Sequence, residues 1–275
     1  MSDLLDESFR ETGELTLEIH AKAREARAQG ASRRSFFEKA GVIAAGSVLG
    51  VGGLPLMMPR SAQAATKSTD TIQDIINIAA TAEMLATTFY YNALILPTNL
   101  PDVNSVQNRN YFQAADTQEY IHLEVLEGYG AKSLASKFYF PEKMFTDEAT
   151  FFSTAETLEK YFISAYLAAA QEFSGAVSSA ITTPNPTLIG LAIQVAGVEC
   201  EHRALLRVAA GANPPNDEEI EYGLLKTVSE AVTPLKPFLM GGSGFIGPFA
   251  APSKSAIDTQ STPYGFGFFK SVPID

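Results

Sequence analysis

The sequence predicts an all-α fold: a four-helix bundle with one long crossover, a short fifth helix and an irregular C-terminal tail. Three observations carry that expectation. Beyond residue 64, four long stretches place apolar side chains at steps of three and four residues, the period of a helix with one buried face. No segment between them alternates as a strand. The links are short from the first stretch to the second and from the third to the fourth, but the link from Gly130 to Phe152 is long enough to cross a bundle.

The first helix is expected over Thr71–Leu96, with Ser68, Thr69 or Asp70 as cap and Pro97 as terminator. The second runs from Ser105, entered through Asn104, to Tyr129 before Gly130. Ser153-Thr154-Ala155-Glu156 has the spacing of a capping box and opens the third, which continues to about Ser179. Pro184-Asn185-Pro186 leads into the fourth, which ends at Ala210 before Gly211. Pro214-Pro215-Asn216 precedes the fifth, over Asp217–Val232. Residues 233–275 are rich in Gly, Pro and Phe. Phe245, Phe249, Phe266, Phe268 and Phe269 are too many rings for a free linker, and they cover either the bundle or a partner, an envelope component or a second copy.

Residues 1–64 are set apart from this fold. A polar leader precedes Ser32-Arg33-Arg34-Ser35-Phe36-Phe37-Glu38-Lys39, a mildly apolar run from Ala40 to Met58, and a small-x-small end at Ala62-Gln63-Ala64. The segment resembles a twin-arginine export signal, although Lys39 falls one place late and the leader is long. The resemblance implies the twin-arginine machinery as a partner, cleavage after Ala64 and a periplasmic or exported product. An uncleaved membrane anchor is the alternative, since a run of about 19 residues can just span a bilayer. The expected division is therefore 1–64 leader and signal, 65–232 bundle and 233–275 tail.

The chain carries a formal charge of −11, and the leader holds equal numbers of acids and bases, so the whole excess falls on residues 65–275. With no basic stripe, nucleic acid is excluded as the main partner. The single cysteine, Cys200, excludes an internal disulfide and a cysteine-built zinc or iron–sulfur site. Chemistry is left to carboxylates and to two histidines, His122 and His202.

Those residues stand where leucines are expected. The four stripes read Ile76, Ala80, Glu83, Thr87, Tyr90, Leu94; Phe112, Ala115, Glu119, His122, Leu126; Phe152, Ala155, Glu159, Phe162, Tyr166; and Leu188, Ala192, Val195, Glu199, His202, Leu206. Each is broken near its centre by a glutamate, and twice a histidine follows three residues later on the same face. Four buried carboxylates without compensation cost several kcal/mol each or must take up protons. Two divalent cations would balance four negative charges. A Glu from each of two helices plus Glu-x-x-His from each of the other two is the ligand set of di-iron and di-manganese bundles. Glu156, one turn before Glu159, competes with it but is also placed to serve the capping box. Tyr90 and Tyr166 either hydrogen-bond ligand carboxylates or simply pack. Glu124 and Glu127 are read as solvated acids, Glu201 as a surface residue, Glu172 as trailing the third stripe without a part in the site, and Cys200 as a buried thiol.

The motifs Glu119-x-x-His122 and Glu199-x-x-His202 resemble those of the ferritin-like superfamily, over residues 71–211. More narrowly, Leu158-Glu159 followed by Ala165-Tyr166-Leu167-Ala168-Ala169-Ala170 is similar to the third helix of the desiccation-related group. The resemblance implies two Fe or Mn ions and O2 or peroxide as substrates, with ferroxidase- or catalase-like turnover. A non-enzymatic, stress-protective or envelope-interaction protein with a structural metal site is the alternative.

Overall fold

The computed structural model describes residues 67–96, 100–221 and 223–269. The expected leader, export signal and cleavage site, residues 1–64, lie outside them. Among the described residues, no helix is long and apolar enough to cross a membrane.

Four long helices form, but the first is capped by Thr71 and not by Ser68, Thr69 or Asp70, and the second starts at Arg109 and not at Ser105. α1 (Ile72–Ile95) is opened by a reciprocal box in which Thr71 Oγ1 accepts from the Asp74 N–H while Asp74 accepts from the Thr71 N–H. α2 (Arg109–Gly128) ends at Tyr129 and Gly130, whose φ of 89° a side chain would resist. α3 spans Glu148–Phe173. α4 (Pro186–Ala209) has Asn185 as cap and Pro186 in its first turn, where a missing N–H costs nothing. α1 packs along α2 and α3 along α4; α1 also meets α3 and α2 meets α4, so α2 and α3 lie diagonally across the bundle. The long link thus crosses the bundle, as its length predicts.

Three details of α3 depart from expectation. α3 begins at Glu148, capped by Asp147 Oδ2 accepting from the Thr150 N–H at 2.9 Å, and not at Ser153. Ser153 is instead inside the helix, and Glu156 pairs with Lys160 at 3.1 Å and Arg207 at 3.2 Å. α3 also stops at Phe173, short of Ser179, where Gly175 turns with φ 74°.

The fifth helix is displaced. Residues 217–221 and 223–227 are not helical, because Asp217 and Glu218 are drawn onto α4 by Arg203, at 2.5 and 3.2 Å, with Arg207 2.7 Å from Asp217. Tertiary ion pairs override a helical pattern there. A 3-10 turn (Val228–Ala231) leads into α5 (Val232–Met240) instead. Arg203, a neighbour of the exposed Glu201, is itself only 3% exposed.

Finally, a strand pair exists. β1 (Lys137–Pro141) in the crossover pairs antiparallel with β2 (Phe245–Ala250) in the tail, followed by α6 (Lys254–Gln260). The pairing is short and irregular between Phe138 and Phe140, which hides its period. Gly247 is required in it: its φ is 136°, and a Cβ would lie 2.9 Å from the Phe138 carbonyl oxygen. Phe249 packs edge-on against Phe140 and Phe145, with centroids 5.5 and 5.3 Å apart, and Phe245 meets Phe238 at 5.3 Å. Phe266 lies 5.6 Å from Tyr120 of α2. These tail rings therefore cover the crossover and the bundle, whereas Phe268 is 57% exposed.

Glu172, which trails the third stripe, has a structural part of its own. It is fully buried, accepting from Ser68 Oγ at 2.6 Å and from the Val228 N–H at 2.8 Å, and so ties the segment before α1 and the tail to the end of α3. Burial, with Asp70 alongside, pushes its carboxyl up to about 7. A folded pKa above the unfolded one means that its stabilising contribution is full below the ordinary carboxylate range and is lost as pH rises through about 7. Glu172→Gln keeps an acceptor for Val228. Thermal unfolding is expected to show the variant gaining on the parent between about pH 5 and pH 8, with the gain growing as pH rises.

Candidate metal centre

Each long helix delivers its glutamate to the bundle axis: Glu83 from α1, Glu119 from α2, Glu159 from α3 and Glu199 from α4. His122 and His202 follow one turn after Glu119 and Glu199. The three-residue spacing therefore puts glutamate and imidazole on one face. Alanines beside the carboxylates (Ala80, Ala115, Ala155, Ala192), all buried, leave room for the polar heads between helices. At one end the site is closed by Tyr90, Phe112 and Phe151, with centroids 6.2 and 5.9 Å apart in sequence.

All six side chains meet. Glu83, Glu119, His122 and Glu199 offer ligand atoms within 4.8 Å of one another, and so do Glu119, Glu159, Glu199 and His202. Glu119 and Glu199 belong to both groups. His122 Nδ1 lies 3.1 Å from Glu199, 3.3 Å from Glu83 and 3.7 Å from Glu119; His202 Nδ1 lies 2.9 Å from Glu119 and 3.2 Å from Glu199. The glutamates are at most 2% exposed, His202 2% and His122 8%.

The outer oxygens are taken. Tyr90 donates to Glu159 Oε1 at 2.5 Å, and Tyr166 donates to Glu83 Oε1. The inner atoms are not: Glu83 Oε2, both Glu119 oxygens, His122 Nδ1, Glu159 Oε2 and Glu199 Oε1 are buried without a hydrogen-bond partner. Unpaired buried polar atoms are rare and costly. Here six of them face one another across a few ångströms, a donor set of carboxylate oxygens and imidazole nitrogens that suits divalent iron or manganese.

The electrostatics agree. Burial pushes the Glu119 carboxyl well up, reinforced by Glu199 and Glu83; burial and then Glu199 do the same to Glu159. Burial opposes the charged form of both imidazoles, yet the surrounding carboxylates outweigh it and raise His122 well above its usual range and His202 in the same direction. Glu199 is the exception: burial raises it, but His122 and His202 hold it far below the carboxylate range. Without a cation, the cluster compensates its charge by retaining protons.

A family match to the ferritin-like domain spans residues 71–212, just over half of the chain and all four long helices. The chain belongs to that family. No curated protein and no solved structure gives a match. The ferritin-like bundle thus contains a buried Glu/His cluster that can hold metal ions.

Sequence reasoning missed three features of this ferritin-like site. The tyrosines cross over: Tyr90, on the helix of Glu83, serves Glu159, while Tyr166, on the helix of Glu159, serves Glu83. The equal seven-residue spacing of Glu83–Tyr90 and Glu159–Tyr166 was the available signal. Gln118 Oε1 lies 3.0 Å from His202 Nε2, and nothing in the stripe pattern marks it. Asp116, one turn before Glu119, is fully buried, has Ser261 Oγ at 3.5 Å as its one hydrogen-bond partner among the described residues, and stands outside both ligand groups. Cys200 is half-buried, and burial, then Glu221, pushes its thiol up to about 11, so it is a poor nucleophile.

Proposed function

We propose that this ferritin-like protein is exported and carries two Fe or Mn ions, with which it oxidises Fe2+ or consumes peroxide. One observation supports the reading above all others: the unpaired inner atoms fall into two overlapping four-residue groups that share Glu119 and Glu199. Glu83 and His122 would serve one ion, Glu159 and His202 the other, and Glu119 and Glu199 both. When bound, iron or manganese supplies the electrons exchanged with O2 or peroxide. In Fe2+ oxidation, two Fe2+ give one electron each and O2 takes the pair with two protons, forming H2O2. In peroxide consumption, two H2O2 give O2 and two H2O.

The chain's own residues bind, orient and exclude water. Tyr90 and Tyr166 fix the outer oxygens of Glu159 and Glu83, which leaves the inner ones free to hold cations, were they bound. The aromatic end keeps that side dry, and His122 is the ligand nearest solvent. Residues 32–64 support export through the twin-arginine route, and the third-helix motif supports a place in the desiccation-related group.

The deep burial of five of the six ligands favours a second reading, in which the metal only clasps the helices of a stress-protective or envelope protein. The exposed Phe268 would then contribute to a contact with an envelope partner or a second copy. Stopped-flow and oxygen-electrode measurements on the full chain, loaded with Fe2+ or Mn2+, separate the two. O2 uptake coupled to Fe2+ oxidation, or O2 release from peroxide, is expected. Full metal occupancy with neither would overturn turnover in favour of the structural role.

A further inference from the structure

The two halves of the cluster are not built alike. On the His202 side, the unshared Glu159 is fully buried and His202 is 2% exposed, and the imidazole packs 6.0 Å from the Tyr90 ring. Its Nε2 has a protein partner, Gln118 Oε1, at 3.0 Å. On the other side His122 is the more exposed imidazole, at 8%, and among the described residues no protein hydrogen bond engages its Nε2.

An imidazole ligates as the neutral ring, with a lone pair on one nitrogen and the proton on the other. An amide oxygen facing Nε2 can only accept, so it holds the proton there and leaves the Nδ1 lone pair toward Glu119 and Glu199. It also fixes the rotation of the ring. Among the described residues, no such partner fixes the His122 ring. A drier surround further strengthens attraction between a cation and the carboxylates.

Resting on the two-cation reading of the cluster, we infer that the half-sites are unequal: the His202 half binds its ion first and more tightly, and Gln118 is the positioning residue that makes it so. The His122 half is the exchangeable one, open to replacement of its ion from solvent.

Co2+ is the probe, titrated into the metal-free full chain with calorimetry and absorbance read together. The parent should bind in two resolved steps of one ion each. Gln118→Leu should weaken the tighter step by about 10–100-fold and leave the looser step nearly unchanged. Gln118→Glu, which still accepts from Nε2, should restore the tighter step. In 15N spectra of the Zn2+-loaded parent, His202 should carry its proton on Nε2. Far-UV circular dichroism checks that each variant is folded; Gln118→Ala replaces the leucine variant if that one is not. Two equal steps in the parent, or a Gln118→Leu titration superimposable on the parent, would overturn the inference while leaving the two-ion site standing. No Co2+ uptake by the parent would overturn the proposed function itself.

Discussion

Glu119→Gln and Glu199→Gln are each expected to abolish tight binding of both ions, whereas Glu83→Gln and Glu159→Gln should each abolish only one. The asymmetry follows from membership: Glu119 and Glu199 contribute to both four-residue groups, Glu83 and Glu159 to one apiece. Removing one partner from a buried charge pair costs roughly 3–5 kcal/mol, which is about two to nearly four orders of magnitude in a dissociation constant. For the shared glutamates that loss falls on each ion. Glu119→Gln should also stabilise the metal-free protein, because burial, with Glu199 and Glu83 alongside, presses its carboxyl, whereas Glu199→Gln should not, since His122 and His202 hold that carboxylate ionised. Loss of metal with a raised unfolding midpoint is a combination that misfolding cannot mimic. It is the usual opposition between a functional site and fold stability. Calorimetric stoichiometry and thermal unfolding of the four variants check both halves.

The metal-free and loaded proteins are expected to respond to pH in opposite directions. Glu119, Glu159, His122 and His202 all have folded-state pKa values above their ordinary ones. The folded state therefore holds more protons than the unfolded state, and stability falls as pH rises from the ordinary carboxylate range upward. Glu199 has the opposite sign, but its loss of stability lies at acid pH, below that window. Cations must displace the retained protons, so their affinity rises with pH. At a hundredfold excess over its Kd, one ion adds about 2.7 kcal/mol, or roughly 5–10 °C in a chain of this size. Unfolding scans between about pH 5 and pH 8 should show the metal-free midpoint falling and the gap to the Mn2+-loaded protein widening. Parallel curves would mean that the cluster is not where metal acts.

Much of this was legible before any coordinates, for a physical reason. A helix repeats its face every three to four residues, so a glutamate amid Ala80, Ala115 or Ala155 declares its burial by position alone. The same logic joined Glu119 to His122 and Glu199 to His202. It failed where the decisive contact was distant in sequence. Asp217 and Glu218 have the pattern of a helix start, but Arg203 and Arg207 hold them in a loop. Ser153 and Glu156 match a capping box, but Asp147 caps one turn and more earlier. β1 is too short to alternate visibly and exists because a tail segment a hundred residues on supplies its partner. Gln118 sits beside the stripe, not in it, and only the approach of α2 to α4 brings it to His202.

The central claim is that the carboxylates remain buried and ionised because cations lie among them. Elemental analysis of the full chain, purified from the compartment it occupies without added metal or chelator, tests it most directly. The account predicts roughly two Fe or Mn per chain, falling to about one in Glu83→Gln and to none in Glu119→Gln. A parent chain that carries neither metal, and takes up none when supplied with Fe2+ or Mn2+, would contradict it.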